Sequence, residues 1–240
     1  MNVSIRRVRA MYRKELREYR RNRSLVAGMA ILPLIFAINP LVTILALPAS
    51  SAGGLRHLHV LVYLLGIPAI VPAVIAAYTV AGERQQGTLE PVLSTPIRRE
   101  ELLLGKALAV LVPSVAISYA VYTVVFACVV LFADPAVASA LTRGPDLLTQ
   151  LLFTPLLAGW SIWVGMAIST RSSDVRVAQQ LGMVVSLPSI AVTTLIAYDV
   201  IHATAMLALG LAAALLLGNT VGWRVTSAIF DRERLITGTR

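Results

Sequence analysis

Charge is scarce in this sequence, since Asp, Glu, Lys and Arg make up only 14% of its 240 residues. A soluble domain carries about a quarter charged residues. Six stretches contain none of these four residue types, and each meets the roughly 20 residues that a helix needs to cross a bilayer. They are 25–47, 60–81, 107–133, 147–170, 177–198 and 203–223. Because unpaired backbone amides are not tolerated in lipid, the sequence predicts an all-α polytopic membrane protein with six transmembrane helices.

The sequence also leaves no room for a soluble domain and contains no enzyme motif. The longest stretch outside the spans, 82–106, is shorter than the roughly 50 residues of an independent domain, so we expect residues 1–240 to form one transmembrane domain. Gly82 and Gly87 have Walker A spacing, but Thr88 and Leu89 stand where that motif requires Lys and Ser or Thr. HExxH and GxSxG motifs are also absent, so we expect no catalytic, cofactor-binding or metal-binding residues.

The single cysteine and the three histidines suggest no further chemistry. Cys128 lies inside the third predicted span, which excludes a disulfide framework. His57, His59 and His202 lie in loops of the opposite side, and the sequence ties no carboxylate or thiol to them. We therefore expect ordinary interfacial histidines, with a metal site as the alternative.

The positive charge that is present lies almost entirely on one side. Nineteen of the 21 Lys and Arg residues lie before residue 25, in 82–106, in 171–176 or from 224 onward, and only Arg56 and Arg143 lie elsewhere. By the positive-inside rule, both termini and the 82–106 loop are cytoplasmic in a multi-pass protein of the cell (plasma) membrane. This asymmetry accounts for the net charge of +9, so nucleic-acid binding is not expected.

Residues 4–22 have the pattern of an amphipathic helix. Apolar and aromatic side chains recur at steps of three and four residues, and most of the arginines fall elsewhere around the helix: Ile5, Val8, Tyr12, Leu16 and Tyr19. The pattern favours a helix lying in the membrane interface, with its cations near anionic lipid headgroups. The alternative is a plain basic tail that sets the topology.

The 82–106 loop contains two helix-start signals. Thr88 is a good N-cap, and Glu90 and Pro91 suit the first turn of a short helix that ends before Pro96. Thr95 is then expected to cap a second helix, which begins at Pro96 and runs into the third span. The loop would thus present one short helix of about two turns, Thr88 to Ser94.

This stretch, AGERQQGTLEPVLSTPIRREELLLGK, resembles the cytoplasmic loop of permease subunits of the ABC-2 transporter family. The matching residues are Glu83, Arg84, Gly87, Thr88, Leu89, Glu90, Thr95, Pro96, Arg99, Glu100, Gly105 and Lys106. The resemblance continues in KELREYRRNR before the first span, STRSSDVRVAQQL entering the fifth, and FDRERL near the end, with the six helices in the same order.

The resemblance implies a permease subunit of an exporter whose loop forms a coupling helix. These twelve residues would then serve coupling to a separate ABC ATPase subunit, with Leu89 as an apolar anchor and Glu83 and Glu90 as ion-pairing groups. ATP and magnesium would bind to the partner, with no cofactor in this chain. A second permease copy or a homologue would complete the path in the membrane. A solvated loop is the alternative. Drug, lipid, glycan, haem and metal-related cargoes all fit the sequence.

Two other functions are compatible with the composition: an ion-coupled secondary transporter and a non-transporting membrane scaffold. A secondary transporter usually keeps an ionisable residue deep in a span, and the six uncharged stretches contain none. The polar groups left to line a path are Tyr63, Tyr78, Tyr119, Tyr122, Gln179 and Gln180. An external energy source, and hence an ATPase partner, is therefore favoured.

Overall fold

A computed structural model of the chain describes residues 4–55, 57–88 and 97–229. In these residues the regular structure is helical, with 3₁₀ segments at Ala49–Ser51 and Val60–Leu65. The α-helices are α1 Ile5–Arg21, α2 Arg23–Leu45, α3 Ala52–Leu55, α4 Gly66–Gln85, α5 Arg99–Phe132, α6 Pro135–Leu141, α7 Gly144–Arg171, α8 Val175–Ala197 and α9 Ala205–Ile229.

Six of these segments are long and apolar enough to cross a membrane, which confirms the predicted all-α polytopic fold. They are Leu25–Leu45, Val60–Gln85, Arg99–Phe132, Gly144–Arg171, Val175–Ala197 and Ala205–Ile229. The third span differs from the prediction at its start. Residues 97 and 98 are not helical and α5 begins at Arg99, so the expected start at Pro96 is wrong.

The bundle is organised around α4. In the most apolar stretch of its span, 89% of the residues are buried, compared with 6% of the residues in the corresponding stretch of α9. The closest neighbour of α4 is α7, because small residues of α7 face it. A Cβ added at Gly165 would lie only 2.5 Å from the carbonyl oxygen of Ala73. The Ser161 hydroxyl donates to the Ala69 carbonyl at 2.7 Å, and the Ser169 hydroxyl donates to the Ala77 carbonyl at 2.6 Å. Such small and hydroxyl-bearing residues are the usual means of close helix packing in lipid.

The amphipathic helix predicted at 4–22 is confirmed as a helix, α1, but the face that it buries differs from the expectation. The protein buries Met11, Glu15 and Tyr19, while Ile5 is 81% exposed. The buried face packs on α5, where a Cβ at Gly105 would lie 2.6 Å from the Met11 Cβ. A carboxylate, that of Glu15, thus occupies the centre of the buried face, between Met11 and Tyr19.

Candidate functional site

We call the end of the bundle where α4 ends and α5 begins the loop end, and the end where Val60 and α7 begin the opposite end. At the loop end, α4 stops in a Schellman motif. The Gly87 N–H bonds the Arg84 carbonyl at 3.2 Å, and the Thr88 N–H bonds the Glu83 carbonyl at 2.9 Å. Gly87 has a φ of 66°, a conformation that glycine adopts without penalty. Gly87 and Thr88 therefore complete α4; the rest of the expected Thr88 to Ser94 helix lies outside the described residues.

The first turn of α5 is fastened to the start of α1 by one carboxylate. Glu101 accepts a hydrogen bond from the Arg98 N–H at 3.1 Å and another from the Ser4 N–H at 2.8 Å. The Ser4 N–H bonds Oε1, whereas Oε2 accepts from the Arg98 N–H and also lies 3.3 Å from the Arg7 guanidinium. Sequence reasoning did not single out Glu101. Its position three residues after Arg98, as a helix-start carboxylate, is the signal that could have found it.

Behind this turn, Lys106 is fully buried and its ammonium group joins three elements. It lies 3.0 Å from Glu15 of α1 and 2.9 Å from Glu83 of α4, and it donates to the Thr79 carbonyl at 2.9 Å. Glu15 and Glu83 are only 2% and 3% exposed. Two hydrogen bonds and one further ion pair therefore compensate the buried ammonium group, and pairing of this kind is the condition under which a buried charge is tolerated.

Lys14 adds a second ammonium group at the edge of this arrangement. It bonds Glu83, lies 2.8 Å from Glu18 and lies 3.2 Å from Glu15. We call these five side chains, Lys14, Glu15, Glu18, Glu83 and Lys106, the ion cluster. Three carboxylate oxygens within 4.8 Å of one another would suit a metal ion, but the two ammonium groups already neutralise most of their charge.

The ion cluster keeps its groups on α1 charged. Burial alone would raise the pKa of Glu15, but the ammonium groups of Lys106 and Lys14 outweigh burial and hold that pKa below its usual range. Burial would also lower the pKa of Lys14, but the carboxylates of Glu15 and Glu83 hold it well above the usual value. The Glu15 carboxylate and the Lys14 ammonium group are therefore charged at neutral pH.

The structure thus gives several of the predicted coupling residues roles inside the chain. Glu83 and Lys106 lie in the ion cluster. Gly105 has no side chain and so leaves room for Met11 of α1. The Arg84 guanidinium donates to the Ser172 carbonyl at 2.7 Å. This differs from the expectation that Glu83 would pair with a partner protein, because its carboxylate is already engaged and buried. Arg99 and Glu100 are half-buried in the first turn of α5. Leu89, Glu90, Thr95 and Pro96 lie outside the described residues.

The six residues proposed to line a path are not brought together. Tyr63 packs its ring 5.5 Å from that of Phe36, whereas Tyr78 accepts a hydrogen bond from Gln86 at the loop end. Tyr119 donates to the Leu151 carbonyl at 2.8 Å, and Tyr122 stacks on Phe126 at 6.2 Å. On α8, Gln179 is half-buried and Gln180 is exposed.

The opposite end contains a cavity instead of a cluster of ions. This opposite-end cavity, of about 470 Å³, lies between α7, α8, α9 and the 3₁₀ segment before α4, and its wall is mostly apolar. His59 and Asp146 lie at its edge, with the imidazole Nδ1 2.6 Å from the carboxylate. His202 pairs with Asp199 at 3.1 Å. Two of the three loop histidines therefore have a carboxylate partner, which sequence reasoning did not foresee.

Comparison with known proteins gives one family match. A family model described as "ABC-2 family transporter protein" matches residues 9–219. A search of curated proteins found no match. The matched range contains α1 from residue 9 onward, all of the ion cluster and the first five spans.

Proposed function

This chain belongs to the ABC-2 transporter family, and we propose that it is the permease subunit of an ATP-driven exporter. The family and the six apolar helices make it a multi-pass membrane transport protein, and such permeases typically work with an ATPase partner. The proposal adds three points: coupling to a separate ATPase through 82–106, export as the direction, and both termini in the cytoplasm at the cell membrane.

The ion cluster is the observation that supports the coupling role most directly. Residues 86–98 connect α4 to α5, and the cluster holds these two helices against α1 near the connection. A force applied to the connection would therefore move three helices together instead of bending one loop. Since the ion pairs are buried, separating the helices is costly, which suits an element that transmits motion.

The proposed cycle uses chemistry that this chain does not supply. ATP and magnesium would bind to two ATPase chains below a pair of permease subunits, which are two copies of this chain or this chain with a homologue. Closure of the ATPase pair would displace the 82–106 loops and open the path outward, and hydrolysis would reset it. This chain is the non-catalytic membrane subunit.

Copurification and transport test the energy source. The chain is purified with its co-encoded neighbours and reconstituted in vesicles, and efflux is measured with ATP after the proton and sodium gradients have been collapsed. We expect a bound ATPase chain and ATP-dependent transport. Gradient-driven transport by the chain alone would instead establish a secondary transporter.

A variant in the loop tests the coupling residue. Leu89→Asp should weaken retention of the ATPase chain by roughly thirtyfold, because an interface anchor contributes about 2 kcal/mol or more. The matched control is Ile5→Asp, an equivalent change at a side chain that is 81% exposed on α1. Equal retention by wild type and Leu89→Asp, with both proteins monodisperse, would exclude Leu89 as the anchor.

Cysteine labelling tests the topology. With Cys128 replaced by alanine, a cysteine at Ser139 should react with an impermeant maleimide added outside, and a cysteine at Gln86 only after the cells are opened. Both side chains are exposed, so accessibility within the protein does not bias the comparison. External labelling at Gln86 would overturn the topology and the coupling role of the loop together.

A further inference from the structure

Asn22 joins α1 to α2 in a sharp elbow. Its N–H bonds the carbonyls of Glu18 and Tyr19 at the end of α1. Its side-chain oxygen accepts from the Leu25 N–H at 3.3 Å, which is the N-cap interaction for α2. One residue thus ends the charged helix and starts the first apolar span, so the elbow marks the boundary between polar and apolar surroundings.

A basic pocket lies beside this elbow. The elbow pocket, of about 740 Å³, lies between the last two turns of α1, the elbow and the end of α4. It is lined by Lys14, Arg17, Glu18, Arg21, Asn22, Arg23, Tyr78 and Gln86. Four of its side chains are cationic and one is a carboxylate. That carboxylate, Glu18, already lies 2.8 Å from Lys14, so the pocket has a net positive charge.

Three of these cations have no partner among the residues that the structure describes. Arg17, Arg21 and Arg23 are exposed, and within the described ranges none makes an ion pair or a side-chain hydrogen bond. Lys14, in contrast, bonds the carboxylates of the ion cluster. Tyr78 accepts from Gln86, which leaves its hydroxyl hydrogen directed to other acceptors. A concave group of guanidinium donors with a phenol donor suits a phosphate oxygen set, because guanidinium groups bind phosphate in a bidentate manner.

The surface next to the elbow pocket is apolar. Val26, one turn after Asn22, is 45% exposed, and Ile31 and Leu34 continue this exposed strip along α2 at 54% each. A phosphate bound at the elbow would therefore have lipid-facing surface directly beside it. Free phosphate would make no use of this surface, whereas the acyl chains of a phospholipid would lie against it.

We propose that the elbow pocket is a binding site for the phosphate of an anionic phospholipid, with Arg17, Arg21 and Arg23 as its main ligands. Basic pockets beside membrane helices are known to bind acidic headgroups. On the topology proposed above, the lipid belongs to the cytoplasmic leaflet. The proposed lipid site requires only that α2 crosses the membrane. It does not depend on an ATPase partner or on the direction of transport.

Native mass spectrometry of the full chain in detergent tests the site. Dioleoylphosphatidylglycerol is the probe, and dioleoylphosphatidylcholine, which has the same chains and no net charge, is the lipid control. The variant is Arg17→Gln/Arg21→Gln. The matched control is Arg9→Gln/Arg20→Gln, which removes the same charge from exposed positions of α1 outside the pocket.

We expect wild type and the Arg9→Gln/Arg20→Gln control to retain the anionic lipid in preference to phosphatidylcholine. The Arg17→Gln/Arg21→Gln variant should lose roughly tenfold in retention or more, since each basic residue near an anionic surface contributes substantially. Equal losses in the two double variants would overturn the site, because they would show general charge attraction. Displacement of the lipid by millimolar inorganic phosphate would overturn the lipid as occupant. Retention of phosphatidylcholine equal to that of the anionic lipid would contradict the proposal as well.

Discussion

At the loop end, the five Lys and Glu side chains of the ion cluster fasten α1, α4 and α5 together; at the opposite end, one His–Asp pair borders a cavity of about 470 Å³. Buried ion pairs resist separation, because each partner left alone would be an uncompensated charge. A cavity lacks the packing contacts that oppose a shift of the helices around it. We infer that the loop end moves as a unit and that helix separation is easier at the opposite end.

The largest loss of unfolding free energy should come from Lys106→Met, which removes the central cation of the ion cluster. It leaves Glu15 and Glu83 buried without their common cation, and removing one partner of a buried pair costs about 3–5 kcal/mol. Thermal unfolding in detergent should show this loss, and hydrogen exchange across residues 5–21 should rise as α1 detaches. Lys14→Met is the control: Lys14 is 37% exposed, so its loss should cost less. An unfolding temperature unchanged by Lys106→Met would contradict the role of the cluster.

A smaller loss of unfolding free energy is expected from Gly105→Ala, which tests the close approach of α1 to α5. The new Cβ would lie 2.6 Å from the Met11 Cβ, so α1 must move, and overpacking of this kind costs about 1–3 kcal/mol. The matched change is Gly28→Ala in α2, where no atom lies within 4 Å and the helix should gain slightly. Equal unfolding temperatures for the two variants would show that the contact is not tight.

Asp146→Asn should weaken the His59–Asp146 pair that borders the opposite-end cavity. It replaces a charged acceptor of the His59 hydrogen bond by a neutral one, with an expected loss of about 1 kcal/mol in unfolding free energy. Asp134→Asn is the control, because asparagine also caps a helix and the Asp134 side chain accepts from the Ala136 N–H as a helix cap. A loss as large as that of Lys106→Met would remove the distinction between the two ends.

Acid should loosen the loop end gradually. The pKa of Glu15 in the folded protein is below its unfolded value of about 4.3, so its stabilising contribution is fully present above that value. The contribution is lost as the pH falls through the folded-state pKa. The protection of α1 amides from hydrogen exchange, corrected for the intrinsic pH dependence of exchange, should therefore stay constant from pH 8 to pH 6 and decrease in acid. Glu15→Gln should reduce the loss of α1 protection in acid. A loss equal to that of the wild type would assign the effect to other titrating groups.

The smallest change in unfolding free energy is expected at the opposite-end cavity, where there is already space for a larger side chain. Ala208→Leu places a larger side chain in the opposite-end cavity and should change the unfolding free energy by less than about 0.5 kcal/mol. Ala158→Leu makes the same change at a fully buried alanine and should cost about 1–3 kcal/mol. Similar losses in both variants would mean that the cavity is filled by neighbouring side chains in solution.

The helices of this protein were readable from the sequence because their signals are local. An uncharged run of sufficient length predicts a span, and each of the six runs coincides with a helix. The three- and four-residue repeat in 4–22 likewise predicted α1. The start of α5 was not readable in this way. Thr95 and Pro96 have stronger start propensities, but the carboxylate of Glu101 bonds the Arg98 N–H and fixes the start at Arg99.

The contacts that build the two ends depend on residues far apart in the chain. Glu15 looks like a solvated residue in its local context, and it becomes a core residue only because Lys106 lies opposite it. His59 and Asp146 are 87 residues apart and form a pair at 2.6 Å. Met11, Glu15 and Tyr19 are spaced by four residues and so share one face of α1. The charge of Glu15 argued against burial of this face. Pattern reasoning sees periodicity along one helix and does not see which helix lies next to it.

The distance in sequence between Glu15 and Lys106 has a consequence for how the protein is made. The two are 91 residues apart, and Ser4 and Glu101 are 97 residues apart. During translation, α1 leaves the ribosome long before its partners on α5, so the helix must wait at the membrane while the first two spans are inserted. Its docking can occur only when the third span enters the bilayer. Closure of the ion cluster is therefore a late step of biogenesis, and it takes place only in chains whose first three spans have been inserted in the correct orientation.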